Sequence, residues 1–144
     1  MRWIRHLRNG AAETAEGQSL MEFALIVPVL VLILMGIFDL GRSVYYYNVA
    51  SETAREAARR SIMITSDCST QDPQTISAVV NQTAGVPITT SGVTITPCPR
   101  NYQSNVTVTV AITYTAITPL IGNIIGNGGS LVLRAQSSMA VEGN

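Results

Sequence analysis

Residues 23–38, FALIVPVLVLILMGIF, decide the fold because they form an unbroken apolar run. With the apolar residues at its edges, the run is about 20 residues long, which is the length that a helix needs to cross a bilayer. Lipid offers the backbone no hydrogen-bond partners, so such a segment must be helical. Pro28 removes one helix hydrogen bond, which membrane helices tolerate. We therefore predict one transmembrane helix that spans about residues 20–40.

A cleaved secretory signal peptide is the less favoured interpretation of the same run. The run is longer than the apolar core of a signal peptide, which has about 7–15 residues. The stretch just before it carries Glu13 and Glu16 rather than basic residues. The distribution of arginines does not decide the orientation, because they lie close to both ends of the span.

A glycine and a glutamate lie directly ahead of the run, in the stretch Gly17-Gln-Ser-Leu-Met-Glu22-Phe23. A carboxylate at the centre of a membrane helix costs about 2.5–3.5 kcal/mol, so Glu22 either reaches the headgroups or needs a partner. The glycine-to-glutamate spacing resembles the prepilin peptidase signal of type IV pilins and pseudopilins. This resemblance implies cleavage between Gly17 and Gln18. Residues 1–17 would then be a cytoplasmic leader, and Glu22 would be the fifth residue of the mature chain.

Cleavage at this position would give Glu22 a partner. It creates a positive α-amino group at Gln18, beside the apolar helix. Where helices pack side by side, Glu22 of one subunit would pair with that amine on its neighbour. The pair would offset the desolvation of both charges and set the axial stagger of the subunits. The resemblance therefore implies a role in processing and assembly for Glu22 and the adjacent Phe23.

Further stretches make the resemblance more specific. They are MEFALIVPVL (21–30), GIFDLGR (36–42), AREAAR (54–59), TPLIG (118–122), GNGG (126–129) and the closing segment 134–142. Together they resemble the TadE-like family, minor pseudopilins of the tight-adherence (Flp pilus) secretion system. The resemblance does not extend to roughly residues 65–100. The resemblance implies a role in Flp-type pilus assembly, with prepilin peptidase, other pseudopilins, the assembly machinery and the lipid bilayer as partners. It also implies a single-pass protein of the bacterial inner membrane, with its N-terminus cytoplasmic and its C-terminal domain extracytoplasmic.

The helix is expected to continue beyond the membrane and to cover residues 18–64. Residues 39–64 contain no proline and include strong helix formers near 54–60. Mostly small residues recur at three- and four-residue steps, which gives one face suited to close packing. That face would pack on the protein's own β-domain or on another subunit. Asp72-Pro73 predicts a second, short helix that ends near Gln82.

Alternation of apolar and polar residues predicts three strands, at Val93–Thr96 and at residues 106–115 and 131–141. A small antiparallel sheet needs a cover for its apolar face, and the long helix can provide it. We therefore predict an α+β fold in which one transmembrane helix extends into an extracytoplasmic helix packed on a small antiparallel sheet. The β-rich domain would cover residues 65–144. The apolar loop at residues 119–129 would fold over the sheet, or else contact the membrane or a partner.

The two cysteines, Cys68 and Cys98, both follow the apolar run. An even pair in a small domain favours a disulfide and a non-reducing compartment, which supports an extracytoplasmic C-terminal part. Such a disulfide would contribute about 3–4 kcal/mol. The alternative is two free thiols in a reduced protein.

No group of residues in the sequence supports catalysis. The single histidine, His6, lies in the leader, and two cysteines without a histidine do not make a zinc site. The sequence has no glycine-rich phosphate loop after a strand, and its net charge of zero offers no attraction to nucleic acid. We expect an assembly protein without cofactor or metal, and not an enzyme. The alternative is an unprocessed, membrane-anchored extracytoplasmic binding module.

Overall fold

A computed structural model describes the backbone of residues 6–63, 67–83, 85–118 and 127–141, and the side chains of those from residue 17 onward except 127. The elements in chain order are helix α1 (His6–Ser61), helix α2 (Cys68–Asn81) and strands β1 (Val93–Thr96), β2 (Asn105–Thr115) and β3 (Ser130–Ala140). Short 3-10 turns at Thr90–Gly92 and Asn127–Gly129 precede β1 and β3. The predicted α+β class is confirmed.

The chain divides into two compact units, Met1–Phe38 and Asp39–Asn144. In the first unit, every residue from 17 to 38 is exposed except Val27 and Gly36, which are half-buried. The segment Gly17–Ser61 contains a window that is apolar enough and long enough to cross a membrane, and almost none of that window is buried within the protein. This finding is consistent with a single-pass membrane protein, because exposed apolar residues at this density need a lipid or protein environment.

Helix α1 begins earlier than the sequence predicted, at His6 rather than at residue 18. The stretch before Gly17 has the residue types for it, since AAETAE (11–16) consists mostly of strong helix formers. The helix ends at Ser61, near the predicted end at residue 64, which lies outside the described residues.

Helix α2 also begins earlier than predicted, at Cys68 rather than at Asp72. Pro73 therefore lies inside the helix, where it removes one backbone hydrogen bond. The turn before it is held by contacts to distant residues, because Cys68 and Asp72 are both buried and both bond to the segment that follows β1. A pattern confined to the local sequence does not contain those contacts.

The three strands form one antiparallel sheet in the order β1-β2-β3. Val110 of β2 lies opposite Val93 of β1 on one side and Ala135 of β3 on the other. The alternation predicted for β2 is confirmed, because its apolar positions are buried and its threonines are exposed or half-buried. The buried positions are Val106, Val108, Val110, Ile112 and Tyr114.

The second half of α1 covers the apolar face of this sheet. Ala50, Ala54, Ala57 and Ala58 are fully buried and belong to the same core cluster as the inward valines of β2. Packing on the protein's own β-domain is thus confirmed over this part of the predicted face. Nearer the span, Val44 and Tyr47 of the same helix are 58% and 49% exposed, so the packing on the sheet ends before them.

The connection between β2 and β3 is closed at its base by a hydrogen bond from the Ala116 N–H to the Gly129 carbonyl, at 3.0 Å. The apolar residues that were predicted to fold over the sheet lie at positions 119–126, outside the described residues.

Candidate functional site

The predicted processing signal lies on the exposed surface of α1. Gly17, Gln18, Glu22 and Phe23 are all exposed, and the space around the Gly17 Cα is open. Gln18 Nε2 donates to Glu22 Oε1 at 3.4 Å, since residues four apart lie on the same face of a helix. The structure thus brings Gln18 and Glu22 together and places the Gly17–Gln18 peptide bond within the helix.

Glu22 is the only charged residue between Gly17 and Phe38. Its neighbours Leu20, Met21 and Leu25 are apolar and 68%, 69% and 72% exposed. Among the described residues, no arginine forms an ion pair with the Glu22 carboxylate. A carboxylate in such surroundings gains from any cation that the environment supplies.

A second polar cluster lies directly after the apolar run, around the buried Asp39. Its Oδ1 accepts from the Ile117 N–H at 3.1 Å, and its Oδ2 accepts from the Thr118 N–H at 2.9 Å. The Tyr114 hydroxyl lies 2.9 Å from the Asp39 carbonyl oxygen and 3.1 Å from its Oδ1. These contacts fasten the end of β2 and the two residues at 117–118 to α1.

Arg42 stacks on two tyrosines beside this cluster. Its Cζ lies 5.3 Å from the ring centroid of Tyr46 and 5.3 Å from that of Tyr114, which is cation–π distance. The two rings pack edge to face, with centroids 5.7 Å apart. Burial raises the pKa of Tyr114, and its hydrogen bond to Asp39 raises it further, so the hydroxyl remains a donor at neutral pH.

A disulfide and a buried ion pair join α2 to the segment after β1. Cys68 and Cys98 form the disulfide that the sequence favoured, with their Cα atoms 5.9 Å apart. Arg100 Nη2 donates to Asp72 Oδ2 at 2.5 Å, and the Arg100 side chain is fully buried. Two cross-links of different chemistry thus hold the first two turns of α2.

Sequence reasoning missed the cluster around Asp39. Two signals could have found it. A carboxylate at the end of an apolar run is costly to bury without donors. The inward position of Tyr114 at the end of a strand leaves a buried hydroxyl that needs a partner.

The described residues contain no group of three or more histidine, cysteine, aspartate or glutamate side chains that could hold a metal ion. The polar residues of the two clusters bond to one another and to the backbone. These arrangements are suited to packing, anchoring and recognition.

Comparison with known proteins relates the N-terminal part of the chain to one family. The family model described as TadE-like protein matches residues 17–59, which confirms the resemblance for that segment. No curated protein and no solved structure matches the chain.

Proposed function

We propose that this chain is a TadE-like minor pseudopilin that acts in the assembly of Flp-type pili and in tight-adherence secretion. One observation carries the proposal: the family match begins at Gly17, the residue after which prepilin peptidase would cut, and continues along the exposed apolar helix to residue 59. Apart from Gly17, the matched segment is thus the N-terminal part of the proposed mature chain.

The proposed topology follows from the same division of the chain. Residues 1–17 form a cytoplasmic leader, the helix spans the inner membrane at about residues 20–40, and residues 65–144 lie in the extracytoplasmic β-rich domain. The disulfide between Cys68 and Cys98 supports this orientation, because disulfides persist outside the reducing cytoplasm.

Glu22 acts in assembly after processing. Cleavage converts the Gln18 nitrogen from an amide into a cationic amine, next to the side chain that already contacts Glu22. The amine of one subunit and the carboxylate of the next then neutralise each other between two apolar helices. Prepilin peptidase and other pseudopilins are therefore the proposed partners.

The test is the intact mass of the full chain, extracted from membranes of cells with and without an active prepilin peptidase. We expect a chain that begins at Gln18 only where the peptidase is active. Gly17→Ala should block the cut, whereas the matched control Gly10→Ala, at the other glycine of the leader, should be processed normally. A wild-type chain that keeps Met1 in the presence of active peptidase would overturn the proposal.

The assembly role of Glu22 has its own readout. Glu22→Leu should insert as well as the wild type but co-purify less with sister pseudopilins, whereas Met21→Leu should leave co-purification unchanged. Equal recovery of partners with Glu22→Leu would rule out the amine pairing and leave the processing step intact.

An unprocessed binding module is the second candidate, and a groove between α1 and α2 favours it. The groove is about 440 Å³ in volume and is lined by residues that include Tyr45, Val49, Val79 and Thr83. The mass measurement separates the two functions, because a binding module keeps its leader.

A further inference from the structure

We propose that Arg42, held by Tyr46 and Tyr114, binds the phosphate of an anionic phospholipid in the extracytoplasmic leaflet. The inference rests on the proposed span at about residues 20–40, and it goes beyond the pseudopilin function because processing and assembly do not require such a site.

The guanidinium is held in place before any ligand arrives. Its carbon lies 5.3 Å from the ring centroids of both Tyr46 and Tyr114, and the two rings brace each other edge to face. Tyr114 belongs to β2, is 3% exposed and contacts Asp39 through its hydroxyl. A side chain fixed in this way loses less conformational freedom when it binds, which favours a defined site over a loose charge.

The positive charge of Arg42 is available to an external anion. Among the described residues, ion pairs join Arg55, Arg60 and Arg100 to carboxylates, but none joins Arg42. The charge of Arg42 interacts most with Tyr46 and least with Asp39, whose two carboxylate oxygens accept hydrogen bonds from Tyr114 and the backbone. Asp39 is also buried, whereas Arg42 is half-buried, so an approaching anion reaches the cation first.

The position of Arg42 along the helix fits the depth of a lipid phosphate. Leu40 is 66% exposed and ends the apolar run, and Arg42 follows it by about 3 Å of helix rise. Tyr45 and Tyr47 come next, 52% and 49% exposed, and tyrosines are enriched at the membrane–water interface. A guanidinium can hold two phosphate oxygens at once, which gives such a site its specificity.

The test is native mass spectrometry of the full chain in detergent, titrated with phosphatidylglycerol and, separately, with phosphatidylcholine. We expect the wild type to retain phosphatidylglycerol preferentially. R42Q should bind it about tenfold more weakly, and the charge-retaining R42K about threefold more weakly, because lysine lacks the planar fork. The control R55Q, on the same helix beyond the interface, should bind as the wild type does.

Folding of each variant is checked by the Cys68–Cys98 disulfide and by near-ultraviolet circular dichroism of the tyrosines. If R42Q or R42K bound phosphatidylglycerol as tightly as the wild type does, the proposed site at Arg42 would be overturned. Equal losses of affinity in R42Q and R55Q would mean that binding depends on the total positive charge, and would overturn a site at Arg42. Inorganic phosphate that binds the wild type in lipid-free detergent and is not displaced by phosphatidylglycerol would assign the site to a free phosphate, and would overturn the lipid proposal.

The outcome is separable from that of the proposed function. A chain that begins at Gln18 but shows no dependence on Arg42 would overturn only the lipid site. A chain that keeps its leader and still loses phosphatidylglycerol with R42Q would overturn only the pseudopilin assignment.

Discussion

Phe38 and Asp39 are neighbours in the chain, yet their burial is opposite. Phe38 is 78% exposed, whereas Asp39 is 5% exposed. Before this point the apolar side chains are exposed or half-buried, whereas all the buried apolar side chains among the described residues lie after it. The reversal is consistent with two different surroundings, lipid or partner helices for the first region and water for the second.

The same residue types serve both regions. Ile33 in the helical run is 56% exposed, whereas Ile112 in β2 is 1% exposed. An apolar residue in the first region gains free energy only from an environment outside the chain. In the second region it gains free energy from its own fold, so stability measurements on variants should respond very differently in the two regions.

Removal of the disulfide by substitution should give the largest difference between the two regions. The double substitution Cys68→Ser, Cys98→Ser should lower the free energy of unfolding of the Asp39–Asn144 unit by about 3–4 kcal/mol, because it frees a long loop in the unfolded chain. Membrane insertion should not change, since the apolar run has no part in the disulfide. Urea unfolding of the full chain in detergent measures the first effect, and carbonate extraction of membranes measures the second. Loss of insertion in this variant would contradict the division into two regions.

Alanine substitutions of Ile112 and Ile33 form a matched pair, and they should give the next largest difference in the free energy of unfolding. Ile112→Ala should lower the free energy of unfolding by about 3 kcal/mol, because it leaves a cavity in a packed core. Ile33→Ala should leave the same unfolding transition unchanged, since that side chain is exposed. Near-ultraviolet circular dichroism follows the transition, because the packed tyrosines belong to the second unit. An equal loss for both variants would mean that the helical run contributes to the folding of the domain.

Strand β2 could be predicted from the sequence because its alternation reports directly which side of the strand is buried. The alternation of valine, isoleucine or tyrosine with threonine or alanine from Val106 to Thr115 predicted both the strand and its inward face. The apolar run was equally clear, because its length and composition alone match the thickness of a bilayer. In both cases the deciding information is local.

Apart from the early start of α1, the features that escaped prediction depend on contacts between distant residues. The early start of α2 depends on the Asp72–Arg100 pair, 28 residues apart, and on a disulfide with a separation of 30. The bonds of Asp39 to Tyr114 and Thr118 join residues 75 and 79 apart. Local propensity carries no information about such pairs, so the sequence indicated the processing signal but not the cluster beside the span.

A smaller predicted effect tests the boundary between the two regions. In Asp39→Asn, an amide nitrogen takes the place of one carboxylate oxygen, so either the Thr118 N–H or the Ile117 N–H loses its acceptor. The free energy of unfolding of the second unit should fall by about 1–2 kcal/mol. Phe38→Ala, one residue away, should change it by less than about 0.5 kcal/mol, because that ring is exposed.

Tyr114→Phe removes the hydrogen bonds between Tyr114 and Asp39 without changing Asp39 itself. It removes the hydroxyl but keeps the ring beneath Arg42, so its cost should be about 1 kcal/mol. The double variant with Asp39→Asn should cost less than the sum of the two, because both substitutions act on one bonded network. Strict additivity of the two changes in the free energy of unfolding would contradict a boundary between Phe38 and Asp39. A larger loss for Phe38→Ala than for Asp39→Asn would contradict it as well. The cluster around Asp39 would then result from the position at which the domain ends. It would not be what holds the end of β2 on α1.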